Sequence, residues 1–129
     1  MKTSELSGAA LDWAVAKCEG FDWYIDVKPT AYGPKPFVFA ENGEVSYKFQ
    51  PTTNWSHGGP IIEREEISLS REFAGRRIEW AAWTPAPIRD DAEAFGYGDT
   101  PLIAAMRCYV ASKLGDEVEI PNDLKGESK

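Results

Sequence analysis

Residues recur at helical spacing near both ends of the chain. At the start, Ala10, Trp13, Ala14 and Lys17 share one stripe, and Leu11, Val15 and Cys18 form an adjacent one. Two neighbouring apolar stripes predict a helix packed on more than one side. Ser7 is its expected N-cap, Leu6 can staple onto Leu11, and Gly20 supplies a stop. Asp12 lies beside the apolar stripes as a candidate polar contact. At the far end, Leu102, Met106, Tyr109, Val110 and Leu114 repeat at helical spacing, with Thr100 as cap, Pro101 at the first helical position and Gly115 as stop.

The middle of the chain changes period. "FDWYIDV" and "PFVFA" are short aromatic and β-branched runs, and Val45, Tyr47 and Phe49 alternate with Ser46 and Lys48. The Asn42-Gly43 pair between "PFVFA" and "EVSYKF" predicts a hairpin turn. The proline-rich "KPTAYGPKP" reads as a surface loop. "GPIIEREE" predicts a short helix with Pro60 at its first position. "ISLSREF", the turn "AGR" and "RIEWAAW" predict a second hairpin, with Ile78, Trp80 and Ala82 on one face and Glu79, Ala81 and Trp83 on the other. Residues 84–99 read as a long surface loop, "EVEIP" as a short edge strand and 121–129 as a flexible tail. The order predicts one α+β domain over 1–129, a small antiparallel sheet of two hairpins packed against an N-terminal and a C-terminal helix.

The 129-residue length fits a single core. The net charge of −7, from 21 acidic and 14 basic residues, disfavours general nucleic-acid binding. Arg76-Arg77 is the only adjacent basic pair among scattered arginines. A small anion needs only one or two arginines, so an anionic ligand stays open. Two cysteines and one histidine make neither a disulfide scaffold nor a zinc motif, and Cys18 and Cys108 read as small core residues. No apolar run is long enough for a membrane span, and "MKTSELSG" lacks a signal-peptide core. The expected setting is cytoplasmic, without metal or cofactor.

Candidate chemistry concentrates in "QPTTNWSHGGP", residues 50–60. His57, the only histidine, has no sequence partner: Ser56 is adjacent, no G-x-S-x-G elbow exists and neither cysteine carries a nucleophile signature. No catalytic residue and no enzymatic activity are therefore expected. Gly58-Gly59 ahead of a helix would leave free N–H groups for an anion, although the P-loop spacing is absent. Trp55 either lids the core or stacks a planar ring, and Asn54 either caps a turn or reads a polar edge. One of Trp80 and Trp83 must face away from a simple two-layer core. Arg107, mid-helix among apolar neighbours, needs an anionic partner: Asp12, Asp22 or Asp26 within the chain, or a ligand.

Three blocks, "TSELSGAALDWAVAKCEG", "TTNWSHGGPIIERE" and "GDTPLIAAMRCYVASKLGDEVEIP", resemble in order the NinX-like family of small phage accessory proteins. Ala104-Ala105-Met106-Arg107 is the most specific part, and Ser70 to Tyr97 carries no anchor. The resemblance implies a phage-encoded protein acting in the host bacterial cytoplasm and dispensable for virion assembly. It brings no mechanism. Small phage proteins of this kind modulate host pathways or counter host defence, some by sequestering nucleotide-derived signals. The expected function is binding of a small planar anionic, nucleotide-like ligand by Asn54, Trp55, His57, Gly58, Gly59, Trp80, Trp83 and Arg107. The alternative is a modulator of a host protein, working through an acidic, aromatic-rich surface. Homo-oligomerisation is left open.

Overall fold

A computed structural model describes residues 1–20, 25–39, 46–75, 77–85 and 94–125. The expected Asn42-Gly43 turn, the start of "FDWYIDV", Arg76 and residues 86–93 of the 84–99 segment lie outside them.

The fold is α+β. A 3-10 turn (Thr3–Glu5) leads into α1 (Gly8–Cys18). Strands β1 (Ile25–Thr30), β2 (Gly33–Phe39) and β3 (Ser46–Lys48) follow, then α2 (Trp55–Arg64). Strands β4 (Ser68–Ala74), β5 (Arg77–Trp83) and β6 (Phe95–Gly98) precede α3 (Pro101–Leu114) and a one-turn α4 (Asn122–Lys125). The strands form two antiparallel sheets rather than one, ordered β1-β2-β3 and β4-β5-β6.

Helix α3 is the centre of the core. Its Leu102, Ala104, Ala105, Met106, Cys108, Tyr109 and Val110 are buried, because α1, α2, β5 and β6 all pack against it. Small residues on both helices let α3 and α1 meet: Ala10 and Ala14 are fully buried, as are Ala104 and Ala105. Thr100 caps α3 by accepting from the Ile103 N–H at 3.1 Å, and Gly115 ends it at φ 83°. Ser7 occupies the N-cap of α1, but its side chain accepts no capping hydrogen bond. The closure there is apolar, with Leu6 and Leu11 both fully buried.

Four expectations need correction. The proline-rich 28–36 segment is not a loop but the β1–β2 hairpin, turning at Ala31-Tyr32. Thr30↔Gly33 closes the turn, so alternation puts Pro29↔Pro34 and Val27↔Pro36 at pairs that exchange no ladder bonds. Each proline nitrogen thus faces away from the β1–β2 ladder, and the Pro36 carbonyl instead accepts from the Phe49 N–H at 3.2 Å. Second, the end of the expected 84–99 loop is β6, paired along β5 from Trp80↔Gly98 to Trp83↔Phe95. Third, "EVEIP" forms no edge strand. It contributes a single antiparallel bridge, Lys2↔Glu117, and two buried side chains, Val118 and Ile120. Fourth, the start of the expected tail is the helix α4, whose Leu124 is fully buried.

A polar network locks the helix ends opposite the N-terminus. Arg64 at the end of α2 donates to Glu19 just after α1, and Glu19 also accepts from the Tyr109 hydroxyl of α3, both at 2.5 Å. Burial and the Glu19 carboxylate raise the Tyr109 hydroxyl above its ordinary pKa. Helix α2 then ends in a Schellman motif: the Ile67 N–H reaches the Ile62 carbonyl at 3.0 Å and the Glu66 N–H reaches that of Glu63. Glu66 takes the left-handed position, at φ 56°, where glycine is the usual occupant.

Candidate functional site

The "QPTTNWSHGGP" stretch folds as a turn and the start of α2. That helix begins at Trp55, not at Pro60, which lies inside it. Asn54 is the N-cap: its side chain accepts from the Ser56 N–H at 2.9 Å, while its carbonyl accepts from the N–H groups of His57 and Gly58. The positions directly after Gly58-Gly59, expected from the sequence to carry free N–H groups, therefore belong to helix interior, and the Gly58 N–H is itself bonded to the Asn54 carbonyl. Gly58 has a packing reason. A Cβ there would stand 2.6 Å from both Leu102 Cδ2 and the Pro51 carbonyl oxygen.

His57 closes the same turn. The Gln50 N–H donates to its Nδ1 at 3.0 Å, and its ring stacks on Phe49 with centroids 5.5 Å apart. Burial lowers its pKa below the ordinary value, consistent with a neutral ring that accepts at Nδ1. Asp12 of α1 reaches this loop from beneath, accepting from the Thr52 N–H at 2.9 Å. Burial pushes its carboxyl up to about 7, against the opposing effects of the Thr52 hydrogen bonds and the Lys35 charge. Trp55 is half-exposed and lines a groove of about 260 Å³ with Thr52, Thr53, Thr100, Pro101 and Leu102.

The remaining expected residues lie elsewhere. Trp80 pairs with Gly98, on the sheet face that meets α3. Trp83 pairs with Phe95 on the opposite face, so alternation separates the two indoles. Arg107 is not paired with Asp12 or Asp26, and Asp22 lies outside the described residues. Its Nε donates to the Leu6 carbonyl at 2.8 Å and its guanidinium NH1 to the Tyr97 carbonyl at 2.6 Å. Burial lowers its pKa, and the nearby Asp99 charge opposes that. The guanidinium is held in place, yet it has no ion pair with a described carboxylate.

Arg107 lines a cleft of about 390 Å³ between the N-terminal segment, β6 and the end of α3. Phe95 and Tyr97 flank it with rings that are 52% and 49% exposed. Lys2, Thr3 and Ser4 form the facing wall, with Asp116 and Glu117 beside them. Sequence reasoning missed this wall because β6, "FGYG", has weak strand propensity. The available signal was the alternation of glycine with aromatic residues. Gly96 and Gly98 face α3, where a Cβ on Gly96 would collide with backbone of Ala104 and Cys108, so Phe95 and Tyr97 must face away. Cys108 is fully buried, and burial pushes its thiol up to about 12, which disfavours the thiolate.

Among the described residues, no group of three or more His, Cys, Asp or Glu side chains could hold a metal ion. No described helix is long and apolar enough to cross a membrane.

The family model described as Bacteriophage P22, NinX matches residues 2–113. The chain belongs to this NinX family of phage proteins. The matched span takes in both walls of the cleft up to Ala111 and the whole of α2, and leaves out Asp116 and Glu117. No curated protein matches the chain.

Proposed function

We propose that this phage protein acts in the host cytoplasm as a binding protein, not a catalyst, for a small planar anionic ligand of the nucleotide class. The cleft at Arg107 is the binding site in this reading, and sequestration of such a ligand would serve to counter host defence. The observation that carries it is the Arg107 guanidinium: half-buried, oriented by two backbone carbonyls, without an ion pair to a described carboxylate, and lining a cleft to which the exposed Phe95 and Tyr97 also contribute. A desolvated cation of that kind gains most from an anion, and the Phe95 and Tyr97 rings offer stacking surfaces. The cleft volume lies near the lower end for small-molecule sites, which suits a mononucleotide-sized ligand. Equilibrium dialysis against nucleoside monophosphates, diphosphates and cyclic dinucleotides tests it. Reversible retention of an unaltered ligand is expected. Steady conversion of the ligand would make the protein an enzyme instead, and no retention at high micromolar concentration would remove the reading.

A second reading, a modulator of a host protein, rests on a different observation. At the tip of the β4–β5 hairpin, Phe73 and Ile78 pair across the strands and are 82% and 45% exposed. A host protein captured from lysate through Phe73, and lost on Phe73→Ser, would favour it.

A further inference from the structure

Strand β6 has one paired edge and, among the described residues, one open edge. The register decides which of its backbone groups use the open one. Ala74↔Arg77 closes the β4–β5 turn, so that pair exchanges both of its ladder bonds. Alternation then turns the Trp80 and Ala82 backbones towards β6, where they pair with Gly98 and Gly96. The Thr84 N–H, donating to the Ala94 carbonyl at 3.1 Å, continues the same alternation. The backbone N–H and C=O groups of Phe95 and Tyr97 therefore point outwards, into the open edge. Arg107 agrees with this direction, since its guanidinium reaches the Tyr97 carbonyl at 2.6 Å.

Phe95 and Tyr97 both line the Arg107 cleft. Along the edge come the Phe95 N–H, the Phe95 carbonyl and the Tyr97 N–H, none bonded to a described group. The next acceptor, the Tyr97 carbonyl, is already held by Arg107. The cleft thus presents a donor, an acceptor and a donor beside a fixed cation, in directions set by the ladder and not by a rotamer. Because the guanidinium ends the run at Tyr97, the open edge suits a single ring better than an added peptide strand.

The complement of such an edge is acceptor, donor, acceptor, attached to an anion. Among nucleobases the imide of uracil carries that order, as O4, N3–H and O2. Cytosine sets an amine against an N–H and a lone pair against the carbonyl. Guanine brings its 2-amine against an N–H in either orientation, and adenine meets only part of the edge. We infer that the cleft selects a uridine nucleotide, its uracil edge read by the β6 backbone and its phosphate held by Arg107. The inference rests on the ligand-binding reading above and names the base.

Calorimetric titration of the intact protein with UMP, 3-methyluridine monophosphate, CMP and AMP tests it. The 3-methyl group replaces the proton that the Phe95 carbonyl would accept. UMP is expected to bind about tenfold or more tightly than the methylated compound or CMP, the scale of one hydrogen bond with its partner left unmet. AMP should fall between. Tyr97→Ala removes the ring and keeps the N–H, so it should weaken all four nucleotides and preserve their order. Tyr97→Pro also removes the N–H, and an outward-facing edge position is where a strand accepts proline. UMP should bind it about tenfold more weakly than Tyr97→Ala, while inorganic phosphate binds both alike. A thermal scan verifies folding, and if Tyr97→Pro fails to fold, the methylated nucleotide decides the matter. Equal binding of UMP and its 3-methyl analogue, tighter binding of CMP or AMP, or equal UMP affinity in the two folded variants would overturn the uracil inference while leaving the anion site standing. If none of these nucleotides nor inorganic phosphate binds, the site reading fails as well.

Discussion

The turn around His57 and the cleft around Arg107 are both rich in polar and aromatic groups, but they differ in where those groups spend their bonds. Around His57 the polar groups are consumed inside the chain. Asn54 caps α2, Nδ1 of His57 holds the Gln50 N–H, and Asp12 holds Thr52. Around Arg107 the backbone fixes the guanidinium, which forms no ion pair with a described carboxylate although the Asp99 charge is nearby, and Phe95 and Tyr97 are exposed. A residue type that suggests chemistry is informative only once its internal partners are known. The loop with the more suggestive composition is the more fully satisfied one.

The largest effects should come from the glycines that seat each region on α3. Gly96→Ala drives a Cβ into α3 backbone that cannot yield, so a loss of roughly 3 kcal/mol or more, or failure to fold, is expected in a denaturant titration. Gly58→Ala meets a movable Leu102 methyl as well as the Pro51 carbonyl, and alanine regains about 1 kcal/mol of helix propensity. It should cost less than Gly96→Ala. The reverse order would mean that β6 is not seated on α3 as described.

Next comes Asp12. Its folded pKa of about 7 lies well above the ordinary carboxylate value. Its contribution to stability is therefore complete below the unfolded value, declines as pH rises through the interval and is lost above about 7. Asp12→Asn keeps an acceptor for the Thr52 N–H and removes the charge. The variant should be more stable than the parent by about 2 kcal/mol at pH 8 and indistinguishable near pH 3, as followed by thermal melts across pH. His57 slopes the other way. Its folded pKa is depressed, so its contribution is present above the ordinary histidine value and fades as pH falls through the lowered one. His57→Ala should cost about 1 kcal/mol at pH 7.5, one hydrogen bond's worth, and less at pH 5. Glu66→Gly is the smallest change: relief of the left-handed position should stabilise by roughly 0.5–1 kcal/mol, read as a small rise in Tm.

Much of this was legible in the sequence, and the failures have physical causes. Helix α3 was readable from end to end, since Thr100, Pro101 and Gly115 are local signals that act locally. The β4–β5 hairpin was readable because its alternation and turn agree. The prolines of 28–36 misled, since a strand tolerates them wherever the ladder asks for no N–H, and register is not a local property. Strand β6 was hidden because its glycines answer to a helix that follows in the chain. The helix start at Trp55 was missed because Pro60 resembles an opening residue, whereas Asn54 is the actual cap. Within the candidate site, Arg107 was recognisable as a cation in need of a partner. Its neighbours were not: Lys2, Phe95, Tyr97 and Asp116 come from three distant parts of the chain.

The central claim is that the ligand site is at Arg107 and not at His57. The direct measurement is a calorimetric titration of AMP into the parent protein, Arg107→Met and His57→Ala, each first shown to be folded by circular dichroism. Saturable binding to the parent, weakened by increasing salt, retained by His57→Ala and lost in Arg107→Met, is the predicted result. Binding that survives Arg107→Met but disappears with His57→Ala would contradict the claim.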